Sequence, residues 1–389
     1  VNDGVSSTET VVLNDEPIRR FVNEYWTAAQ RQAHSIHEVS YRACFKPQLP
    51  RFFIASLTDP GDTVYDPFAG RGTTAIEAAL LGRRVISNDI NPLSKILTEP
   101  RLDPPIPDEV AKRLGQIASA NIHIEKPDVD LSMFYHERTL DEILRLQAFL
   151  SGKKGEVDAW IRMVATNRLT GHSSGFFSVY TMPPNQAVSA DAQRKINEVR
   201  KQTPPYRDTS KIILRKTHDL LRNLSLDDRK TLHEVHRTAK FYASDARHVD
   251  AMKDASVALT VTSPPFLDVV QYDKDNWLRC WFNELDADSI SRRITMMKKL
   301  GDWESVMFDV FRELHRITRP DGWVAFEVGE VRNGKVKLDE VVAPLGMKAG
   351  FECVAIMVNQ QEFTKTANCW GVSNNAKGTN TNRIVLFRK

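Results

Sequence analysis

One segment constrains what this chain can fold into more than any other. Asp62-Thr63-Val64-Tyr65-Asp66 reads as a short buried strand, and the glycine-rich turn Pro67-Phe68-Ala69-Gly70-Arg71-Gly72 follows it. Residues 74–81 have helical periodicity, and after Gly82 a second strand, 84–89, ends in the acid Asp89. Strand, glycine turn, helix and strand within about 30 residues form a βαβ unit of a parallel sheet. Ligands of such open sheets bind at the carboxyl ends of the strands.

A second αβ-patterned block starts at Phe241. There 257–262 is an apolar strand, 303–317 is helical, 319–322 is a turn into the strand 323–328, and 353–359 and 383–388 are β-rich. The stretch between the blocks, 101–240, reads as helices broken by Pro104-Pro105, Pro183-Pro184 and Pro204-Pro205. Inside it, 171–190 is a long polar and aromatic loop, unusual in a compact domain and hence a functional candidate. The polar start, residues 1–17, lacks the apolar core of a secretory signal and is expected to be a flexible tail.

Composition narrows the class. The chain has 389 residues, 41% hydrophobic and 26% charged, as a globular protein that can bury a sizeable core. It has no apolar run long enough to span a membrane. Cys44, Cys280, Cys353 and Cys369 are scattered without CxxC pairing, which argues against a zinc site or a disulfide framework and fits a reducing cytoplasm. No metal is expected. A net charge of +3 announces no nucleic acid, but residues 194–240 carry 13 Lys/Arg against 6 Asp/Glu. Alone, such an excess is better explained by a solvated helical face, and it gains weight only beside a nucleic-acid chemistry elsewhere in the chain.

The turn identifies its ligand more closely. Its glycines let the backbone bend sharply and let a ligand approach, and Asp89 is placed to accept hydrogen bonds from ribose hydroxyls. A dinucleotide site would carry G-x-G-x-x-G behind an apolar lead-in; this turn lacks the third glycine and begins with Asp66. Asp66-Pro67-Phe68-Ala69-Gly70-Arg71-Gly72-Thr73-Thr74, with Asn88-Asp89-Ile90-Asn91-Pro92, closely resembles the cofactor motif of S-adenosylmethionine-dependent DNA amino-methyltransferases. Phe45-Lys46-Pro47-Gln48 looks like that family's preceding motif, which packs on the methionine moiety. Ser244-Asp245-Ala246 looks like its third-strand motif, whose acid meets the adenine amino group. A surface Asp in a turn is the plainer reading of Asp245.

Thr262-Ser263-Pro264-Pro265-Phe266 completes the resemblance. The prolines stop the ladder directly after an apolar strand, whereas Thr203-Pro204-Pro205-Tyr206, which imitates the motif, follows a polar run that cannot be buried. An exocyclic amine has a delocalised lone pair and is a poor nucleophile. Acceptors aimed at its protons, here the Pro264 carbonyl and the Ser263 side chain or carbonyl, would help it attack the sulfonium methyl. Phe266 would offer the base a stacking face. Serine before the prolines looks like the cytosine-N4 type, whereas Asp or Asn is usual in adenine-N6 enzymes. No Pro-Cys nucleophile motif for carbon-5 methylation is present, and Cys280 lies in a helical apolar run.

The resemblance covers roughly 40–100 and 240–389. It implies an α/β, Rossmann-like class I methyltransferase with a mixed seven-stranded sheet, catalytic parts at 18–100 and 241–389, and a mostly helical insertion at 101–240. It implies S-adenosyl-L-methionine as cofactor, double-stranded DNA as partner, base flipping, a prokaryotic cytoplasmic setting, and a restriction endonuclease acting on the same site. Here the cofactor motif precedes the catalytic motif, the reverse of the commonest layout, so the recognition region does not carry over by position. The insertion is expected to read DNA, with phosphate contacts from basic helices including Arg194 and Lys195, and base contacts from Asn185 and Gln186. Tyr272 and the polar loop 363–382 are further substrate candidates. Adenine N6, an RNA base, or a silent nucleic-acid-binding subunit remain alternative readings.

Overall fold

Val64 and Tyr65 alternate between the two faces of one sheet, and the rest of the architecture is arranged around that alternation. The computed structural model describes residues 7–26, 33–41, 44–125, 127–153, 155–181, 188–265, 276–293, 297, 299–331, 336–360 and 381–389. The strands are β1 (Ser7–Leu13), β2 (Glu16–Asn23), β3 (Thr63–Asp66), β4 (Arg84–Asn88), β5 (Lys240–Tyr242), β6 (Val257–Thr262) and β7 (Thr318–Val328). A two-residue pair, β8 (Glu330–Val331) and β9 (Val336–Lys337), precedes β10 (Glu352–Gln360) and β11 (Thr381–Arg388). The helices are α1 (Gln48–Leu57), α2 (Thr73–Leu80), α3 (Leu93–Thr98), α4 (Pro107–Ser119), α5 (Glu137–Leu150), α6 (Glu156–Arg168) and α7 (Ala190–Arg200). They continue with α8 (Thr209–Leu221), α9 (Leu226–His236), α10 (Trp277–Phe282), α11 (Ala287–Arg293), α12 (Leu300–Ile317) and α13 (Leu338–Lys348).

The main sheet has the order β1-β2-β10-β11-β7-β6-β3-β4-β5. From β7 to β5 every neighbouring pair is parallel, and β11 enters antiparallel between β7 and β10. The strands from β10 to β5 form the expected mixed seven-stranded Rossmann-like sheet, but the sheet as a whole has nine strands. The two extra ones correct the expectation of a flexible tail at 1–17. Residues 7–23 instead form the antiparallel hairpin β1–β2, and β2 runs parallel to β10. Asn14 and Asp15 make the turn with positive φ, which these residue types tolerate. The alternation Ile18, Arg20 inward, with outward neighbours exposed, is a strand signal easily passed over in so polar a segment.

Period-two alternation divides the core. Val64, Leu259, Val261, Ala325 and Ile384 pack with α1 and α2 on one face, while Tyr65, Val324, Phe326 and Val385 pack with α12 and α13 on the other. Strand β6 is buried throughout, as a central strand covered on both faces should be. The turn expected at 319–322 lies inside β7, where Asp321 has φ 60° and the register with β6 slips between Val257 and Leu259.

Between β4 and β5 the described elements are all helical. Helices α4, α5, α6 and α8 enclose a separate core around Trp160, whose indole N–H donates to Thr217 Oγ1 at 3.0 Å. Helix α9 differs. Its Leu232 and Val235 join the sheet core beside Ile76 and Val85, so it is the crossover helix of the sheet itself. Residues up to 240 therefore do not all belong to the insertion.

Candidate functional site

The site begins with an acid at the carboxyl end of β3. Asp66 is buried; its Oδ1 accepts from Thr262 Oγ1 at 2.6 Å and from the Phe68 N–H at 3.1 Å. Its Oδ2 is buried with no hydrogen-bond partner among the described residues. Loss of hydration, helped by the nearby Asp89 charge, raises the Asp66 carboxyl to about 7 against the pull of Thr262, Phe68 and Thr74. An unsatisfied carboxylate oxygen at this place suits a cationic ligand.

The turn then closes on the next strand. The Gly70 N–H donates to Asp89 Oδ2 at 2.8 Å, and the Asn91 N–H donates to Asp89 Oδ1 at 2.9 Å. The Asn91 side chain in turn accepts from the Leu93 N–H at 3.0 Å, which starts α3. Desolvation raises Asp89 to about 6, although part of its surface stays open to the cavity and softens the effect. Gly72 caps α2 in the left-handed region, φ 76°, and a Cβ there would stand 2.2 Å from Thr98 Oγ1. Only glycine fits.

Strand β6 delivers Ser263 and Pro265 to the same place. Thr262, the last residue of β6, is the donor to Asp66, so the two motifs are joined across the sheet by one hydrogen bond. The Pro265 carbonyl accepts from Trp303 Nε1 at 3.0 Å, a contact from α12. The Ser263 hydroxyl contacts the Glu327 carboxyl, which also accepts from Asn382 Nδ2 at 2.9 Å. Glu327 is buried, and desolvation holds its pKa above the ordinary glutamate range.

These elements border one cavity of about 1110 Å³ including its open mouth. Phe45, Pro67, Phe68, Ala69, Gly70, Thr73, Asp89, Ile90, Asn91, Asp245, Ala246, Ser263 and Pro265 all line it. Asp66, Gly72, Thr74 and Pro264 stand behind the lining. Thr74 is buried and donates from Oγ1 to the Val261 carbonyl at 3.0 Å. Lys46 and Pro47 lie outside the lining, and Pro47 instead caps α1. Asp245 is held by Arg247, whose Nε and Nη2 donate to its two oxygens at 3.0 and 2.5 Å.

The two substrate candidates among the described residues, Arg194 and Lys195, are not gathered there. Arg194 pairs with Asp191 at 2.7 Å and Asp130 at 3.0 Å, Lys195 is exposed, and neither lines the cavity. Asn185, Gln186, Phe266, Tyr272 and 363–380 lie outside the described residues. Much of the loop from 171 is an ordered knob rather than an open reader. Phe176 and Phe177 are buried, Arg168 stacks 4.1 Å from the Phe176 ring centre, and the Thr181 N–H donates to the Gly171 carbonyl.

Sequence reasoning missed Glu327, Trp303 and Arg247. Glu327 had a signal: it is the lone charge in the apolar strand Trp323-Val324-Ala325-Phe326-Glu327-Val328. A buried strand admits a carboxyl only where partners are waiting for it.

The model of a DNA methylase family (N6_N4_Mtase) matches residues 6–97, from β1 into α3, and so includes the Asp66 turn and Asp89. That stretch is similar to DNA methylases. The type II methyltransferase M.MjaII of Methanocaldococcus jannaschii is 35% identical over 72 residues, 18% of this chain and 13% of that protein. The type II methyltransferase M.BsoBI of Geobacillus stearothermophilus is 41% identical over 69 residues, 17% of this chain and 14% of that protein. This chain therefore aligns with well under two thirds of either relative. An rRNA methyltransferase of Streptomyces viridochromogenes, aviRa, overlays on 94% of each chain at 11% identity, with a TM-score of 0.37. The methylase segment ends before β6, so Ser263 and its neighbours lie beyond the family match.

Proposed function

We propose that this chain transfers a methyl group from S-adenosylmethionine to an exocyclic amino group of a DNA base, with cytosine N4 as the target. The observation that carries the reading is the meeting of two motifs. The Asp66–Asp89 turn and Ser263 border one cavity at the carboxyl end of the sheet.

The residues present fit such a cofactor. Asp66 brings an unsatisfied buried oxygen, the glycines leave the backbone bare, and Phe68 and Ile90 add apolar wall. Each Asp89 oxygen accepts one backbone N–H and keeps a lone pair for a ribose hydroxyl. Asp245 is the acceptor for the adenine amino group, with Arg247 holding its carboxylate in place. When bound, S-adenosylmethionine supplies an electrophilic methyl on a sulfonium.

Ser263 Oγ and the Pro264 carbonyl would accept hydrogen bonds from the target amine, withdrawing its lone pair from the ring and orienting it for attack. A base reached in this way must leave the duplex stack, at a cost of a few kcal/mol. The helical block between β4 and β5 would carry the contacts to DNA, through phosphate contacts whose affinity falls steeply with salt.

Nucleoside mass spectrometry on genomic DNA from a host expressing the chain, beside Ser263→Ala, tests the reading. N4-methylcytosine that vanishes in the variant is the expected result. N6-methyladenine would keep the chemistry and overturn the base assignment. Neither product in DNA would send the search to RNA or to a silent fold.

A further inference from the structure

Glu327 is a buried acid with a specific address. Thr262 pairs with Phe326 across β6 and β7, so the next step along the two parallel strands sets Ser263 beside Glu327. The antiparallel partner on the other side, β11, brings Asn382 Nδ2 to 2.9 Å from Glu327 Oε1. The carboxyl thus stands between an amide that can only donate to it and a hydroxyl that can do either. Among the described residues Ser263 and Asn382 face it, and no Lys, Arg or His does.

A carboxylate has no proton to give. While Glu327 is ionised, the Ser263 hydroxyl must be the donor in their contact, and its rotor is locked. The lone pairs of Ser263 Oγ are then left facing the cavity as acceptors, which an exocyclic N–H requires. A protonated Glu327 can donate instead, and the serine oxygen loses that orientation.

We propose that Glu327 is a positioning residue that acts through Ser263 and receives the proton the amine gives up. The inference rests on the methyltransferase reading. As the new N–C bond forms and the methyl–sulfur bond breaks with its pair staying on sulfur, the amine becomes cationic. One N–H bond then breaks with its electron pair staying on nitrogen, and the proton passes to Ser263 Oγ. The original hydroxyl proton of Ser263 passes to Glu327, which ends as a neutral acid. Charge balances without a further reactant: sulfonium plus carboxylate become thioether plus carboxylic acid. Solvent resets Glu327 after product leaves.

The test compares wild type, Glu327→Gln, Glu327→Asp, Ser263→Ala and the double variant Glu327→Gln with Ser263→Ala. Single-turnover transfer of labelled methyl from S-adenosylmethionine to unmethylated genomic DNA is followed across pH. Binding of S-adenosylhomocysteine by calorimetry and thermal unfolding are measured alongside. With saturating S-adenosylmethionine, whose positive charge holds Asp66 ionised, the wild-type rate should rise with pH through one ionisation, that of Glu327, to a plateau. Glu327→Gln should lose about 10²-fold or more and flatten that limb, with unchanged S-adenosylhomocysteine affinity. Glu327→Asp should recover part of the rate together with the limb. In the Ser263→Ala background, Glu327→Gln should add little, because the two act as a unit.

Infrared spectroscopy of the DNA-free protein should show a carboxyl band that titrates above the ordinary glutamate range and is missing in Glu327→Gln. A retained pH limb in Glu327→Gln, or losses that multiply in the double variant, would overturn the proposal. If Glu327→Gln does not fold, the aspartate variant decides: an unchanged pH profile at full rate rejects the relay. No methylated DNA from wild type would instead sink the methyltransferase reading, and the infrared titration would still report on the carboxyl itself.

Discussion

The indole N–H of Trp303 donates to the carbonyl of Pro265 at 3.0 Å, tying α12 to the loop that follows β6. Trp303 is buried and also forms part of the cavity wall, so one side chain sets both the loop and its surroundings. Trp303→Phe keeps most of the ring and removes the donor. It should cost about 1 kcal/mol in thermal unfolding, the worth of one buried hydrogen bond. Methyl transfer should slow by about ten- to a hundredfold, because small displacements of positioned groups are costly to rate. Equal single-turnover rates would show that the loop holds its shape without the indole.

Two glycines predict opposite signs. Gly72 has φ 76° and no room for a methyl beside Thr98, so Gly72→Ala should destabilise by about 1–3 kcal/mol from backbone strain alone. Gly115 lies within α4 with nothing near its would-be Cβ, so Gly115→Ala should stabilise by about 0.5–1 kcal/mol. Urea unfolding of both variants checks the pair.

Asp66, raised to about 7, and Asp89, raised to about 6, both hold their protons more tightly folded than unfolded, where the ordinary value is 3.8. Such groups favour the folded state at low pH, and the contribution is lost as pH climbs through the folded pKa. The ligand-free protein should therefore lose stability from these groups between about pH 4 and pH 7. Asp66→Asn should flatten that decline in thermal melts. A sulfonium ligand should also release protons on binding near pH 7, seen as a buffer-dependent calorimetric enthalpy, since a cation draws the carboxyl toward its ionised form.

Asp339 on α13 is fully buried and accepts from Arg20 of β2 and Arg383 of β11, each at 3.1 Å. Asp339→Ala would remove the buried acceptor that Arg20 and Arg383 share, while Arg20 keeps Glu340 at 2.9 Å, and should cost about 1–3 kcal/mol in urea unfolding. Proteolysis should then appear first in the β1–β2 hairpin, which Arg20 ties down. A variant as stable as wild type would mean that strand pairing alone holds the hairpin.

The βαβ unit was readable in the sequence because burial, glycine conformation and strand period all point the same way between Asp62 and Asp89. The cavity-lining residues of the turn followed from it, since a turn at a strand's carboxyl end has only one place to face. The hairpin at 7–23 was hidden by composition: its outer edge is polar, and among its described residues only Ile18 and Arg20 are fully buried, with Leu13 and Val22 half-buried against the same core. Glu327 and Trp303 escaped for a different reason. Their importance comes from neighbours 64 and 38 residues away in the chain, Ser263 and Pro265, and no local pattern carries that pairing. The basic excess at 194–240 misled in part, because Arg194 and Arg222 already answer to acids, Asp191 and Glu38.

The insertion leaves the sheet after β4 and returns through α9 to β5, a three-residue strand that pairs with β4 alone at the rim. Among the described residues no strand of the main sheet lies within the helices around Trp160, and from outside the insertion their core takes in chiefly Leu278 and Phe282 of α10 with Val39 and Leu97. Lengthening such an excursion is cheap, about 0.6 kcal/mol for each doubling of the chain between its ends. In evolutionary terms, length is freer to change in this block than in the strands around it. A lineage could lengthen or trim its connections while the register that joins Asp66 to Thr262 stays intact.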